Sequence, residues 1–165
     1  VIYTDPRLGD IGARAILPTD SFEIALRDEA LIQAPFESYD KLRLALGLPD
    51  GSRDLEVDKS TLLECGFEEL HGVDFHKGCY MGQELTARTK HRGLVKKRLI
   101  PVSFDGDAPA AGAEITQAGK NAGEIRSTAD GQGLALVRLD SLASSAPLLA
   151  GDIPVTPNKP PWANF

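Results

Sequence analysis

The first third of the chain contains short apolar segments that alternate with turn-forming residues. Val1–Thr4 and Ala13–Leu17 are segments of this kind, followed by Asp-Pro-Arg and Pro-Thr-Asp sequences. Because these following residues favour turns, we predict that both segments are β-strands. The next apolar segment, Phe22–Leu31, fits a helix or a strand equally well, and the pattern leaves its type open.

Two clearer helix patterns follow. In residues 37–46, the apolar side chains of Leu42, Ala45 and Leu46 lie at i, i+3, i+4 spacing, which places them on one helix face. The glycine that comes next predicts where this helix ends. Gln83–His91 contains neither glycine nor proline and shows no strict alternation, so we predict a second helix there.

The chain between these two helices is polar and rich in turn-forming residues. Thr61 and Glu64 have the spacing of a capping box, so we predict a short helix at Thr61–Cys65. Residues 71–82 are predicted to form a loop that leads into the second helix.

The pattern changes after Gly93. Four short apolar segments, separated by glycine-rich turns, have the composition of strands. They are Arg98–Phe104, Ala113–Gln117, Gly123–Arg126 and Leu134–Leu139. Such a series suits a small antiparallel β-barrel or sandwich. We therefore predict an α+β protein with a boundary near Gly93, in which residues 1–93 form an α+β body and residues 94–165 a C-terminal β-barrel.

Composition and charge narrow the class of protein. The 165 residues are 42% hydrophobic and 25% charged, as in globular proteins, and the apolar runs are too short to span a bilayer. The net charge is −6, yet residues 77–98 contain seven bases and one acid, which leaves −12 on the rest. One basic segment in an acidic protein favours a local anion site over a nucleic-acid-binding surface. The same pattern also fits a solvated helix and strand face.

The two cysteines differ in their surroundings. Cys65 lies in an apolar sequence without a neighbouring base, which predicts a core residue. Cys79 follows Lys77 by two residues and precedes the second predicted helix, and both features favour a thiolate. Gly78 and Gly82 flank the thiol and would let the backbone turn tightly and approach a ligand. A buried cysteine in a tight loop fits the same residues, so the pattern alone leaves both roles open.

Two cysteines and two histidines fall within fifteen residues and suggest a metal site at first sight. They are Cys65, His71, His76 and Cys79. Their spacing contains no Cys-x-x-Cys or His-x-x-x-His pair, the chelating pattern that structural zinc sites usually show. We therefore predict no metal site from this set.

Residues 77–84 read Lys-Gly-Cys-Tyr-Met-Gly-Gln-Glu, and this sequence resembles the signature of the YgfZ family. Downstream, Arg88, the run 91–93 and Arg98 also fit the family pattern. Upstream, residues 3–8 and 39–47 resemble matching segments of the same family. The likeness is specific up to the predicted barrel and weak within it.

The resemblance implies a tetrahydrofolate-binding fold shared with the aminomethyltransferase of the glycine cleavage system, of which this chain would be the C-terminal portion. It implies an accessory protein for the assembly or repair of iron–sulfur enzymes, with folate and iron–sulfur client or assembly proteins as partners. It also implies a cytoplasmic protein in a bacterium, or a mitochondrial matrix protein in a eukaryote. Because the sequence begins with Val1, we expect that a further segment precedes it.

The resemblance also assigns roles to individual residues. Cys79 would be the reactive thiol or a transient ligand, and Lys77 would keep it anionic. Contacts to tetrahydrofolate are expected from Arg43, Gly78, Tyr80, Gly82, Gln83, Glu84 and Arg88. Gln83 and Glu84 would also cap the second helix, and the basic segment would attract the glutamate tail of folate or an acidic partner.

Three other functions remain open. The first is a tetrahydrofolate-dependent aminomethyltransferase or demethylase. Those transferases carry a glutamate that holds the pterin ring, where this chain has Ala45. Losing the paired N–H contacts of that carboxylate costs about 1–3 kcal/mol of pterin recognition, which disfavours a transferase. The others are a nucleic-acid module that uses Arg88–Arg98, and a scaffold whose motif loop packs two domains together.

Overall fold

The computed structural model describes residues 1–28 and 30–165. The chain begins with two short strands, β1 (Ile2–Thr4) and β2 (Ala13–Ala15), which pair antiparallel. Both strands predicted for this part of the sequence are thereby confirmed.

Two helices follow the strand pair. The first, α1 (Phe22–Asp28), shows that the segment of undecided type is helical over these residues, and residue 29 of that segment lies outside the described residues. The second, α2 (Phe36–Leu46), confirms the first helix prediction. It ends at Gly47, whose φ of 76° lies in the left-handed region that glycine adopts without strain.

Consecutive turns fill most of the chain between α2 and the next helix, so the helix predicted at Thr61–Cys65 is wrong. Thr61 Oγ1 donates a hydrogen bond to Glu64 Oε2 at 2.9 Å, so this hydroxyl bonds a side chain rather than capping backbone N–H groups. The predicted loop at 71–82 and the helix after it are confirmed, and this helix is α3 (Gln83–His91). Within the described residues, no helix has both the length and the hydropathy to cross a bilayer.

Six antiparallel strands close into a barrel in the order β3-β6-β5-β4-β7-β8. In chain order the barrel elements are β3 (Lys97–Ser103), β4 (Glu114–Gln117), β5 (Lys120–Ala129), β6 (Gln132–Arg138), helix α4 (Leu139–Leu142), β7 (Leu148–Ala150) and β8 (Ile153–Pro157). The barrel and the α+β class agree with the prediction from sequence. The four predicted strands correspond to β3–β6, whereas β7 and β8 were not predicted.

Aliphatic side chains fill the barrel interior, because alternate residues of each strand point inward. The most buried of them are Ile100, Val102, Ile115, Ile125 and Val137. A second apolar cluster lies on the outside of the barrel, where α2 and the turn segment pack against it. The turn segment is the chain of consecutive turns between α2 and α3. The cluster contains Leu44, Cys65, Leu99 and Leu134.

Trp162 contacts both α2 and the turn segment. Its Nε1 donates a hydrogen bond to the carbonyl oxygen of Leu46 at 2.7 Å. A Cβ added at Gly66 would lie 2.9 Å from the indole ring, so this glycine is in close contact with it. The C-terminal segment therefore contacts both the end of α2 and the turns that precede the motif loop.

Candidate functional site

The motif residues 77–82 form a surface loop directly before α3. Every residue of this loop is exposed, including Cys79, and Met81 has 99% of its surface accessible. Cys79 therefore presents its thiol at the surface. The alternative of a buried cysteine in a tight loop is wrong for this chain.

The two glycines of the loop have different backbone requirements. Gly82 precedes α3 with a φ of 86°, a conformation that side-chain-bearing residues rarely adopt. Gly78 has no positive φ, and a Cβ added there would meet no atom within 4 Å. Only Gly82 therefore uses the conformational freedom that was predicted for both.

Tyr80 and Gln83 fix the junction between the loop and α3. The backbone N–H of Tyr80 donates to Gln83 Oε1 at 3.1 Å, and the N–H of Gln83 donates to the Tyr80 carbonyl at 3.3 Å. Gln83 thus reaches back from the first turn of the helix and fixes the loop, but no side chain caps the helix N-terminus as predicted. Glu84 instead forms an ion pair with Arg88 one turn later on the surface of α3.

The ammonium group of Lys77 lies over the ring of Tyr80, with Nζ 4.8 Å from the ring centroid. This distance is within the range of a cation–π interaction. The contact joins the two residues that flank the Gly78-Cys79 pair, so it closes the loop across the thiol.

Cys79 lines a cavity of about 200 Å³ between the loop and α3. Its other walls include Phe75, Lys77, Tyr80, Gln83 and His91. The rings of Phe75 and His91 meet edge to face at 6.5 Å, and Lys90 Nζ lies 5.3 Å from the Phe75 centroid. The loop and the helix therefore bring a thiol, an ammonium group and an imidazole to one small cavity.

His91 is the cavity residue that the sequence interpretation missed. It lies eight residues after Gln83, with Ala87 midway, and all three line the cavity. Steps of four residues follow one helix face, so this spacing would have identified His91 once Gln83 was placed at the site.

The basic segment is less free to bind anions than its sequence suggested. Arg88 pairs with Glu84, and Lys90 pairs with Glu68. Arg98 lies 2.8 Å from Glu69, and its guanidinium also donates to the Leu63 carbonyl at 2.9 Å. Three of the seven bases thus form ion pairs within the chain, and Arg98 holds the turn segment to β3.

Arg43 does not line the cavity of Cys79. Its side chain is 1% exposed, and its guanidinium donates to Asp40 at 2.5 Å and to Asp54 at 2.7 Å. Further bonds reach the Leu48 carbonyl at 3.1 Å and Ser127 Oγ at 3.2 Å. The guanidinium is therefore engaged by protein acceptors that connect α2 to β5, and the predicted folate contact of Arg43 would require these bonds to be exchanged.

Cys65 is a core residue, as predicted. It is 3% exposed and packs in the apolar cluster beside α2. Burial raises the pKa of its thiol to about 11, with the nearby carboxylate of Glu64 adding to the shift. Among the described residues, no group of three or more His, Cys, Asp or Glu side chains is placed to hold a metal ion.

Comparison with known proteins connects this site to a family. A family model described as CAF17, C-terminal beta-barrel domain, matches residues 96–165. The mitochondrial iron–sulfur cluster assembly factor IBA57 of Mus musculus is 33% identical over 171 residues, which cover 98% of this chain and 47% of that protein. The Homo sapiens protein of the same name is 36% identical over 142 residues, covering 83% of this chain and 39% of its own length. The chain belongs to this YgfZ-related IBA57 family.

The IBA57 relatives extend well beyond the matched region. This chain spans about half the length of the mouse protein. The IBA57 homolog of Neurospora crassa is 41% identical over 107 residues, covering 64% of this chain and 24% of that protein. The names of all three relatives describe mitochondrial proteins, which agrees with the predicted matrix location for a eukaryotic source.

Proposed function

We propose that this chain takes part in the assembly of iron–sulfur clusters for client proteins and that Cys79 is the thiol through which it acts. The exposed position of Cys79 on the motif loop carries the proposal. The relatives named as iron–sulfur cluster assembly factors support it.

Thiolates of cysteine are the usual protein ligands of iron–sulfur clusters. Cys65 cannot serve in this way without unfolding, because it is buried and its pKa is raised to about 11. Cys79 alone would supply one thiolate, whereas a [4Fe–4S] cluster takes four cysteine ligands. Cluster transfer through this chain therefore requires a partner or client that supplies the remaining ligands.

The loop is suited to contact such a partner protein. Met81, two residues after Cys79, is 99% exposed and offers an unbranched, adaptable apolar side chain. Lys77 adds positive charge at the cavity wall. We propose a partner with a small apolar recess and an acidic surface, whose charge would steer it to the loop.

We also propose tetrahydrofolate as a ligand of the complete protein. The cavity of about 200 Å³ is smaller than the roughly 300–1,000 Å³ of typical small-molecule sites, so the described residues would hold only part of it. Tyr80 and Gln83 line this cavity, and Lys77 could pair with a carboxylate of the glutamate tail. Titration calorimetry of this chain with tetrahydrofolate should therefore show weak binding. A submicromolar dissociation constant would contradict the proposal that this chain holds only part of the folate site.

Complementation tests the proposed role of Cys79. Cells that lack the endogenous factor would receive the complete protein as wild type, Cys79→Ser or Cys65→Ser, and a [4Fe–4S] client enzyme would be assayed. The Cys79→Ser protein should fail to restore client activity, whereas Cys65→Ser should restore it if the protein accumulates. Restoration by Cys79→Ser would remove the thiol from the mechanism.

A further inference from the structure

We infer that Tyr80 is a positioning residue for Cys79, and that it acts by holding the Lys77 ammonium group over its ring. The inference rests on the proposed function of Cys79. It assigns to Lys77 and Tyr80 a common role, which is to position the thiol. Lys77 would thus act through the shape of the loop as well as through the charge that it offers to a partner.

The loop has little else to define its shape. All six residues from 77 to 82 are exposed, so apolar burial contributes little to their order. None of the nine described residues of α3, which follows the loop, is buried either. Short helices without a buried face are marginal in water. Local contacts therefore determine where the thiol points.

Tyr80 takes part in both local contacts that span the loop. Its ring receives the Lys77 ammonium group at 4.8 Å from the centroid, and its backbone exchanges two hydrogen bonds with Gln83. The first contact spans Cys79, because Lys77 precedes the thiol in sequence and Tyr80 follows it. The second joins the loop to α3. Loss of the ring would release the first contact and leave the second in place.

The chemistry of the contact predicts which substitutions are tolerated. A cation–π interaction requires an aromatic face and a positive charge, and it does not require the phenol hydroxyl. Tyr80→Phe and Lys77→Arg should therefore keep the loop closed, whereas Tyr80→Leu and Lys77→Met should open it. Tyr3, on β1, is as exposed as Tyr80 at 38%, so Tyr3→Leu is a matched control for losing a half-exposed aromatic side chain.

Two measurements on the intact protein test the inference. In NMR spectra, the Lys77 side-chain methylene protons should show an upfield ring-current shift, which Tyr80→Phe keeps and Tyr80→Leu removes. In a cluster-delivery assay with an apo client, Lys77→Met and Tyr80→Leu should each slow delivery about two- to fivefold, as expected for losing one exposed cation–π contact. The double variant should be no slower than either single variant, since both remove the same contact.

The outcomes separate this inference from the function on which it rests. An unshifted Lys77 signal in the wild type, or additive losses in the double variant, would overturn the positioning role while leaving Cys79→Ser inactive. Loss of the upfield Lys77 shift in Tyr80→Phe would also overturn it, because an aromatic face without the hydroxyl would then not be sufficient. Full delivery by Cys79→Ser would defeat the proposed function, and the NMR result for the loop would still stand.

Discussion

Nη1 of Arg43 lies 2.7 Å from Oδ2 of Asp54, and the two side chains are 1% and 0% exposed. Asp54 also accepts hydrogen bonds from the Asp50 backbone N–H at 2.8 Å and from the Ser127 hydroxyl. The ion pair therefore joins α2, the turn that follows it and strand β5 of the barrel. Arg43 therefore has a structural role in which the motif loop takes no part.

Replacing Arg43 by methionine should lower the free energy of unfolding by about 3–5 kcal/mol, because it leaves the Asp54 carboxylate buried without its cation. Urea unfolding followed by circular dichroism measures this change. Arg27→Met is the matched control, since Arg27 is exposed on α1 and should change stability by less than about 0.5 kcal/mol. Similar small effects of both substitutions would show that the ion pair is not needed for the fold.

Lowering the pH should destabilise the folded protein, because the Asp40 carboxylate becomes protonated. A hydrogen bond from Arg53 lowers the pKa of this carboxyl, and one from Arg43 adds to the effect, against the opposing effect of burial. Because the pKa is lower in the folded state, the stabilisation is present above the unfolded value of about 3.9 and is lost as the pH falls through the folded value. Unfolding free energies at pH 7 and pH 3 should differ less in Asp40→Asn than in wild type. An equal difference between the two pH values in both proteins would contradict the assignment of this stabilisation to Asp40.

The two thiols should react at very different rates. Iodoacetamide near neutral pH should modify Cys79 in the native protein, and peptide mass spectrometry identifies the site. Cys65 should stay unmodified until the protein unfolds, because burial blocks access and raises its pKa to about 11. Preferential modification of Cys65 would be incompatible with the described packing.

Gly82 and Gly78 provide a matched pair for the shape of the loop. Gly82→Ala places a side chain at a φ of 86°, which should cost about 1 kcal/mol and disturb the start of α3. Gly78→Ala meets no atom within 4 Å and should be nearly neutral. Thermal unfolding, together with the Cys79 alkylation rate, measures both effects. Equal behaviour of the two variants would mean that the positive φ at Gly82 is not required.

Local sequence patterns predicted those parts of the fold that local chemistry determines. The spacing in α2 and the glycine after it were sufficient for that helix, and glycine-rich turns marked strands β3–β6. Strands β7 and β8 were missed because prolines dominate their region, and β8 itself contains Pro154 and Pro157. Pro157 lies opposite Val102 in the short pairing of β8 with β3, and Pro154 lies opposite Leu149 of β7.

Sequence reasoning reached only those walls of the cavity that the motif contains, and the roles assigned to them stay predictions. Cys79, Lys77 and Tyr80 follow from the motif, and the structure brings them together around one cavity. Helical spacing from Gln83 points to His91, but the contact of its ring with Phe75 depends on how α3 packs beside the loop, which residue spacing does not reveal. The same limit applies to Arg43, because its contact with Ser127 spans 84 residues of sequence.

The iron and acid-labile sulfide content of a [4Fe–4S] client enzyme tests the central claim most directly. The client would be isolated from cells whose only copy of the complete protein is wild type, Cys79→Ser or Cys65→Ser, with equal amounts of each confirmed by immunoblot. We expect about four iron and four sulfide per client polypeptide with the wild type and Cys65→Ser, and a client largely without cluster with Cys79→Ser. A fully loaded client in the Cys79→Ser cells would contradict the claim that this chain acts through its exposed motif thiol.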